Sequence, residues 1–160
     1  MTQSRLKELV TYDPETGDLR MIADPSKRAS WPAGRAGRLQ ALIDGRMLYV
    51  HRLAWLYVHG EWPTEQIDHI NQNPVDNRIA NLRPADKSQN VQNIDAAYGS
   101  SGYRGVSFDS RCGDGNSWRA RIMVDGKSHS LGYYATAEEA HDAYLAAKRE
   151  LHPFWVERAA

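Results

Sequence analysis

The chain has 160 residues, room for one ordinary domain or two small ones, and 41% of them are hydrophobic, so global disorder is excluded. Twenty basic side chains balance twenty acidic ones, which removes any bulk-charge argument for a polyanionic partner and leaves only local patches. Cys112 is the sole cysteine, so neither an intramolecular disulfide nor an all-thiolate zinc site can form.

In chain order, Asp13-Pro-Glu-Thr-Gly17 reads as a turn between extended segments at 9–12 and 19–22. Asp44-Gly45 suits the left-handed backbone of a tight hairpin. The apolar run at 53–58 predicts a core helix, flanked by His51 and His59. After a Trp62-Pro63 turn, a strand ends in Asp68-His69. A polar loop (71–78) and a short strand (79–83) follow, and Asp86 with Gln89 caps a helix bearing Asn90 and Asn93. The small residues at 97–102 predict a linker, hence domains at 1–98 and 99–160.

Beyond the linker, strands are predicted at 102–109, 118–124 and 128–134, separated by Gly113-Asp-Gly115 and Asp125-Gly126 turns. Alternation puts Trp118, Ala120, Ile122 and Val124 on one face and Arg119, Arg121 and Met123 on the other. Thr136 and Glu139 form a capping box for a helix with Ala140, Ala143, Tyr144, Ala147 and Leu151 on its inner stripe, stopped by Pro153. The predicted class is α+β, ending in a three-stranded antiparallel sheet packed on one helix. Charge alternates along the chain. Residues 20–52 hold seven basic against two acidic side chains, whereas 53–77 hold four acids and no Lys or Arg. Such blocks fit a surface with one polyanion-binding face.

Singly, Asp68, His69, Asn81 and Asn90 each have a bland structural explanation; jointly they supply the parts for phosphodiester hydrolysis. A hard divalent cation needs oxygen ligands, which the Asp68 carboxylate and Asn90 amide can provide. The His69 imidazole, ordinarily titrating near 6.5, can take a proton from water at neutral pH. Neighbouring strand residues point to opposite sides, so Asp68 and His69 need a twisted strand end to serve one site, and Asn81 can impose it by bonding backbone near His69. A zinc trio of His51, His59 and His69 is disfavoured because the first two flank the core helix. Arg52, Arg78 and Arg83 are the candidate phosphate contacts, with no basis for choosing among them.

The set Tyr12-Asp-Pro-Glu-Thr-Gly-Asp-Leu19, His51-Arg-Leu-Ala-Trp55, Gly60, Ile67-Asp-His-Ile-Asn71, Asp76-Asn-Arg-Ile-x-Asn-Leu-Arg83, Gln89-Asn90 and Asn93 resembles the HNH (ββα-metal) endonucleases of the phage and homing type, over 8–95. The resemblance implies a ββα-metal nuclease module with extra hairpins and a helix. It implies His69 as general base, Asp68 and Asn90 as metal ligands, and Asn81 as the asparagine orienting the base. Asparagine where other members carry helix histidines favours Mg2+ or Mn2+ over zinc. The run Ser101-Gly-Tyr-Arg-Gly-Val-Ser107, Trp118-Arg-Ala-Arg-Ile122, Leu131-Gly-Tyr-Tyr134 and Thr136-Ala-Glu-Glu-Ala140 resembles the APETALA2/ethylene-response-factor DNA-binding domain, over 101–155. That resemblance implies a sheet lying in the DNA major groove, with contacts from Arg104, Arg119, Arg121, Ser107 and Ser128; Ser107, Asp109 and Ser130 depart from the plant pattern, so the plant base preference does not transfer.

The expectation is therefore a metal-dependent endonuclease acting on double-stranded DNA, as a monomer that nicks or a homodimer that breaks both strands. The alternatives are a non-catalytic DNA-binding regulator with a degenerate site and an RNA-directed protein. The first residues lack the apolar stretch of a secretion signal, and no apolar run approaches the roughly 20 residues that span a bilayer. The expected location is the cytoplasm of a bacterial or phage-infected cell, without a membrane partner.

Overall fold

Residues 1–33, 37–96, 101–111 and 117–157 are described by a computed structural model. The chain divides into two units, Met1–Asn90 and Val91–Ala160. The predicted boundary between 98 and 99 and the Gly113–Gly115 turn lie outside the described residues. Four helices and four small antiparallel sheets give a mixed α+β chain among the described residues. No helix among them is long and apolar enough to cross a membrane.

In the first unit the Thr2 hydroxyl accepts from Arg5 N and caps α1 (Gln3–Leu9). Strands β1 (Val10–Tyr12), β2 (Leu19–Met21) and β3 (Asp24–Arg28) form one sheet. The β1–β2 turn is the predicted one: Asp13 Oδ1 accepts from Glu15 N and Thr16 N, and Gly17 adopts φ +75°. A second sheet joins β4 (Ser30–Ala33), β5 (Arg38–Ile43) and β6 (Arg46–Tyr49). Its β5–β6 hairpin turns through Asp44 and Gly45, both at positive φ as a tight turn requires. Helix α2 (Val50–His59) follows and stops at Gly60 in the left-handed region. Its buried Val50, Leu53, Ala54 and Leu56 pack with Leu6, Val10, Leu19, Ala41, Ile43, Ile67 and Leu82 into one core.

Strands β7 (Gln66–His69) and β8 (Leu82–Ala85) pair with Asp68 opposite Arg83 and His69 opposite Leu82. The strand predicted at 79–83 is only partly present, because Ile79–Asn81 is a 3-10 turn in which Asn81 N donates to Arg78 O. The Asn81 side chain competes for local backbone groups and so favours a turn over extension. Helix α3 (Lys87–Gln92) opens on reciprocal bonds between Asp86 and Gln89, the predicted box.

The second unit contains β9 (Val106–Phe108), β10 (Trp118–Val124) and β11 (Lys127–Tyr134), with β10 in the middle, and α4 (Ala137–Leu151). Asp125 and Gly126 make the β10–β11 turn at positive φ. The capping box is complete, with Thr136 accepting from Glu139 N and Glu139 accepting from Thr136 N. Helix α4 lays Ala137 and Ala140 against Val106 and Ala120. At its far end the inner stripe departs from the prediction. Leu151 is exposed and Lys148 is fully buried, because Lys148 Nζ reaches Asp95 Oδ1 at 2.6 Å and Ile94 O at 2.9 Å and lies over the Trp155 ring.

Candidate active site

Asp68 and His69 close strand β7, and both are buried. His69 Nε2 lies 3.1 Å from Asn77 Oδ1, and the Asn77 amide is oriented by its Nδ2 donating to Val75 O. The imidazole ring also meets His51 edge to face, with centroids 5.3 Å apart, and His51 stacks on Tyr49. Burial pushes the His69 pKa below its ordinary value, opposed by the Asn77 bond. His51 is pushed down to about 3, first by burial and then by the charges of His69, Arg38 and Arg52. Both rings are therefore neutral at neutral pH, as a proton acceptor must be.

Asn81 braces the chain that leaves His69. Its Oδ1 accepts from Asn71 N at 2.9 Å, its Nδ2 donates to Asn71 Oδ1 and Asp76 O, and its own carbonyl accepts from Ile70 N. These bonds hold residues 70–76 in a closed loop immediately after the imidazole.

Alternation along β7 puts Gln66 and Asp68 on one face of the strand. Asn90 Nδ2 donates to Gln66 Oε1 at 2.7 Å, which ties the α3 asparagine to the start of β7. Arg83, opposite Asp68 in register, donates Nε and Nη2 to Asp68 Oδ2 at 3.0 Å each. Arg83 thus pairs with Asp68 on the β7–β8 ribbon, Asn90 is tied to Gln66 at the start of β7, and His69, Asn77 and His51 meet at its end. Carboxylate and amide oxygens are a hard donor set that fits Mg2+ or Mn2+ with remaining positions filled by water and phosphate. Among the described residues no three His, Cys, Asp or Glu side chains converge on a metal position. The His59 ring lies tilted against Trp55 at the exposed end of α2, and among the described residues it forms no metal cluster with His51 and His69.

Of the three candidate phosphate contacts, Arg52 donates to Pro63 O and Glu65 O, fixing the approach to β7. Arg78 is half exposed and paired with Asp76. Arg83 is the arginine beside Asp68. Sequence reasoning gave Asn77 no role although it lies inside the Asp76-Asn-Arg78 motif; the usable signal was the Tyr12 hydroxyl, a buried donor that needs a partner and finds Asn77 O at 2.7 Å. Asn93, expected on the helix with Asn90, falls past its end and is buried in the second unit, accepting from Val156 N.

In the second unit Arg119 stands opposite Ser107 and Tyr133, Arg121 opposite Ser130, and Met123 opposite Ser128, so these side chains share the sheet face away from α4. Arg121, Ser128, Ser130 and Tyr133 are exposed. Arg119 Cζ lies 5.8 Å from the Tyr133 ring. Arg104 is placed differently: its Nε donates to Tyr144 Oη and its Nη2 to Val91 O, so its guanidinium is engaged within the unit.

Residues 48–92 match the family described as HNH endonuclease, a span containing His51, Asp68, His69, Asn77, Asn81 and Asn90. A protein of Acanthamoeba polyphaga mimivirus named "Uncharacterized HNH endonuclease L560" is 28% identical over 123 residues, which are 76% of this chain. The chain spans 62% of that relative's length. "Protein 3.8" of Escherichia phage T7 is 30% identical over 104 residues, covering 64% of this chain and 83% of the phage protein. No solved structure matches the chain.

Proposed function

The chain belongs to the HNH endonuclease family, and from that membership we propose a metal-dependent DNA endonuclease whose second unit binds the duplex. What supports this reading is strand β7, which carries Asp68 paired with Arg83 and Gln66 bonded to Asn90 and ends in a neutral, buried His69.

His69 takes a proton from a water molecule that attacks phosphorus, the P–O3′ bond breaks, and the leaving 3′ oxygen takes a proton from solvent water, giving a 5′-phosphate and a 3′-hydroxyl. Burial keeps the imidazole unprotonated and ready for that proton. Asp68 and the Asn90 amide oxygen would hold a divalent cation, which would supply positive charge to offset that developing on the phosphate and the leaving oxygen. Arg83 shares Asp68 in the absence of substrate and can extend a guanidinium fork to a phosphate oxygen. Asn81 keeps the loop after His69 closed. Double-stranded DNA is the substrate. The second unit offers Arg119, Arg121, Ser107 and Ser128 to the major groove on a sheet narrow enough to enter it, while Arg104 secures the turn before β9. Joining the two units on one chain raises the local concentration of each on the duplex once the other is bound.

A plasmid-nicking assay tests the reading. Wild-type protein cuts with Mg2+ or Mn2+ and stops on chelation, and His69→Ala loses at least about 100-fold in rate with duplex affinity retained. Wild-type protein that binds duplex but never cuts it would leave a DNA-binding regulator instead.

A further inference from the structure

The Tyr12–Leu19 hairpin belongs to the family resemblance yet holds none of the proposed reacting groups; its contacts lead to Asn77. Tyr12 Oη donates to Asn77 O at 2.7 Å, and Ile79 N donates to Pro14 O at 3.2 Å. Gly17 sits so close that a Cβ there would lie 2.6 Å from both Asn77 C and Arg78 N. The hairpin thus holds the main chain of residue 77 from one side. On the other side the Asn77 side chain, 1% exposed, presents Oδ1 to His69 Nε2 at 3.1 Å.

We propose that Asn77, fixed by Tyr12 and the β1–β2 turn, is a positioning residue that holds His69 as the Nε2–H tautomer and so leaves the basic lone pair on Nδ1. This rests on the reading of His69 as the base. The chemistry follows from the acceptor: an amide oxygen can only receive, and its orientation is set by Asn77 Nδ2 donating to Val75 O. The imidazole nitrogen facing it must therefore carry the proton, and in a neutral ring the other nitrogen is then the acceptor. The bond to the second nitrogen also fixes the ring plane, as the orienting partner of a catalytic base does. Without Asn77 both tautomers become accessible, and in one of them Nδ1 bears a hydrogen and cannot take a proton from water.

Nitrogen-15 NMR of histidine-labelled full chain reads the tautomer directly, because protonated and lone-pair-bearing ring nitrogens resonate far apart. The His69 signals are assigned by their loss in His69→Gln. The wild type shows Nε2–H at neutral pH, and Asn77→Ala shows a mixture, with kcat for nicking reduced at least in proportion to the lost Nε2–H fraction, about twofold for an equal mixture, and duplex affinity unchanged. A wild type in the Nδ1–H form overturns the proposal without recourse to any variant. So does an Asn77→Ala protein that keeps pure Nε2–H. Loss of the tautomer preference with undiminished nicking supports the positioning role of Asn77 and instead overturns His69 as the base, so the two readings fail separately.

Discussion

Two imidazoles in edge-to-face contact inside a protein cannot both accept a proton cheaply, since each charged ring would repel the other and forfeit hydration. His51 carries most of that burden. It is 6% exposed, its Nδ1 has no hydrogen-bond partner among the described residues, and Arg38, Arg52 and His69 when protonated oppose a charge on it. Held down to about 3 in the folded chain, it stays neutral there while an unfolded His51 protonates near its ordinary value of 6.5. Below 6.5 the unfolded state therefore binds the extra proton, and stability falls as pH falls, by about 2 kcal/mol at pH 5. Urea denaturation at pH 7.5 and pH 5 checks this, with His51→Phe as the comparison. Burial also lowers His69 and His152, which tilt stability the same way, so the difference between the two proteins isolates His51. An equal pH dependence in both would assign the loss elsewhere.

Local chemistry made the elements readable, and distance hid their contacts. Asp13 to Gly17 announces its turn because an Asx oxygen and a left-handed glycine are local devices, and Thr136 with Glu139 announces α4 for the same reason. The residue types of the proposed site were legible in the Asp68-His69, Asn81 and Asn90 spacing. Their partners were not. Arg83 reaches Asp68 through strand register and Asn77 meets His69 through loop closure, neither of which periodicity encodes. Lys148 was passed over in favour of Leu151 because residue type outweighed position, although the half-buried Asp95 carboxylate partners it. Turn glycines likewise look equivalent in sequence and are not. Gly17 and Gly45 share a left-handed φ, but a Cβ at Gly45 meets nothing within 4 Å whereas one at Gly17 runs into the backbone of residues 77 and 78. Gly45→Ala should cost about 1 kcal/mol, the left-handed penalty alone. Gly17→Ala should cost at least about 3 kcal/mol, as backbone must shift. Thermal melts of the two variants measure the difference; equal losses would mean that the hairpin does not press on the loop.

At the scale of the whole molecule, a formal charge of zero means that any affinity for a polyanion must come from where the charges lie. The second unit concentrates Arg119 and Arg121 on the sheet face away from α4, with the Tyr133 ring beside Arg119 and small serines around them. Salt separates this arrangement from a merely solvated face. Each cationic contact to a phosphate releases condensed counterions, so the slope of log affinity against log salt counts such contacts, at about 0.9 per phosphate on duplex DNA. Hydrogen bonds to base edges leave that slope nearly untouched. If both guanidiniums lie on phosphates, Arg119→Ala with Arg121→Ala should lower the magnitude of the slope by about two and weaken binding most at low salt. If they read base edges instead, binding should weaken by a similar factor at every salt concentration and lose sequence preference. Fluorescence anisotropy on a labelled duplex, using full-length protein without divalent cation so that nothing is cut, distinguishes the two. A double variant matching the wild type in both affinity and slope would remove the sheet as the docking surface and return the duplex to the first unit.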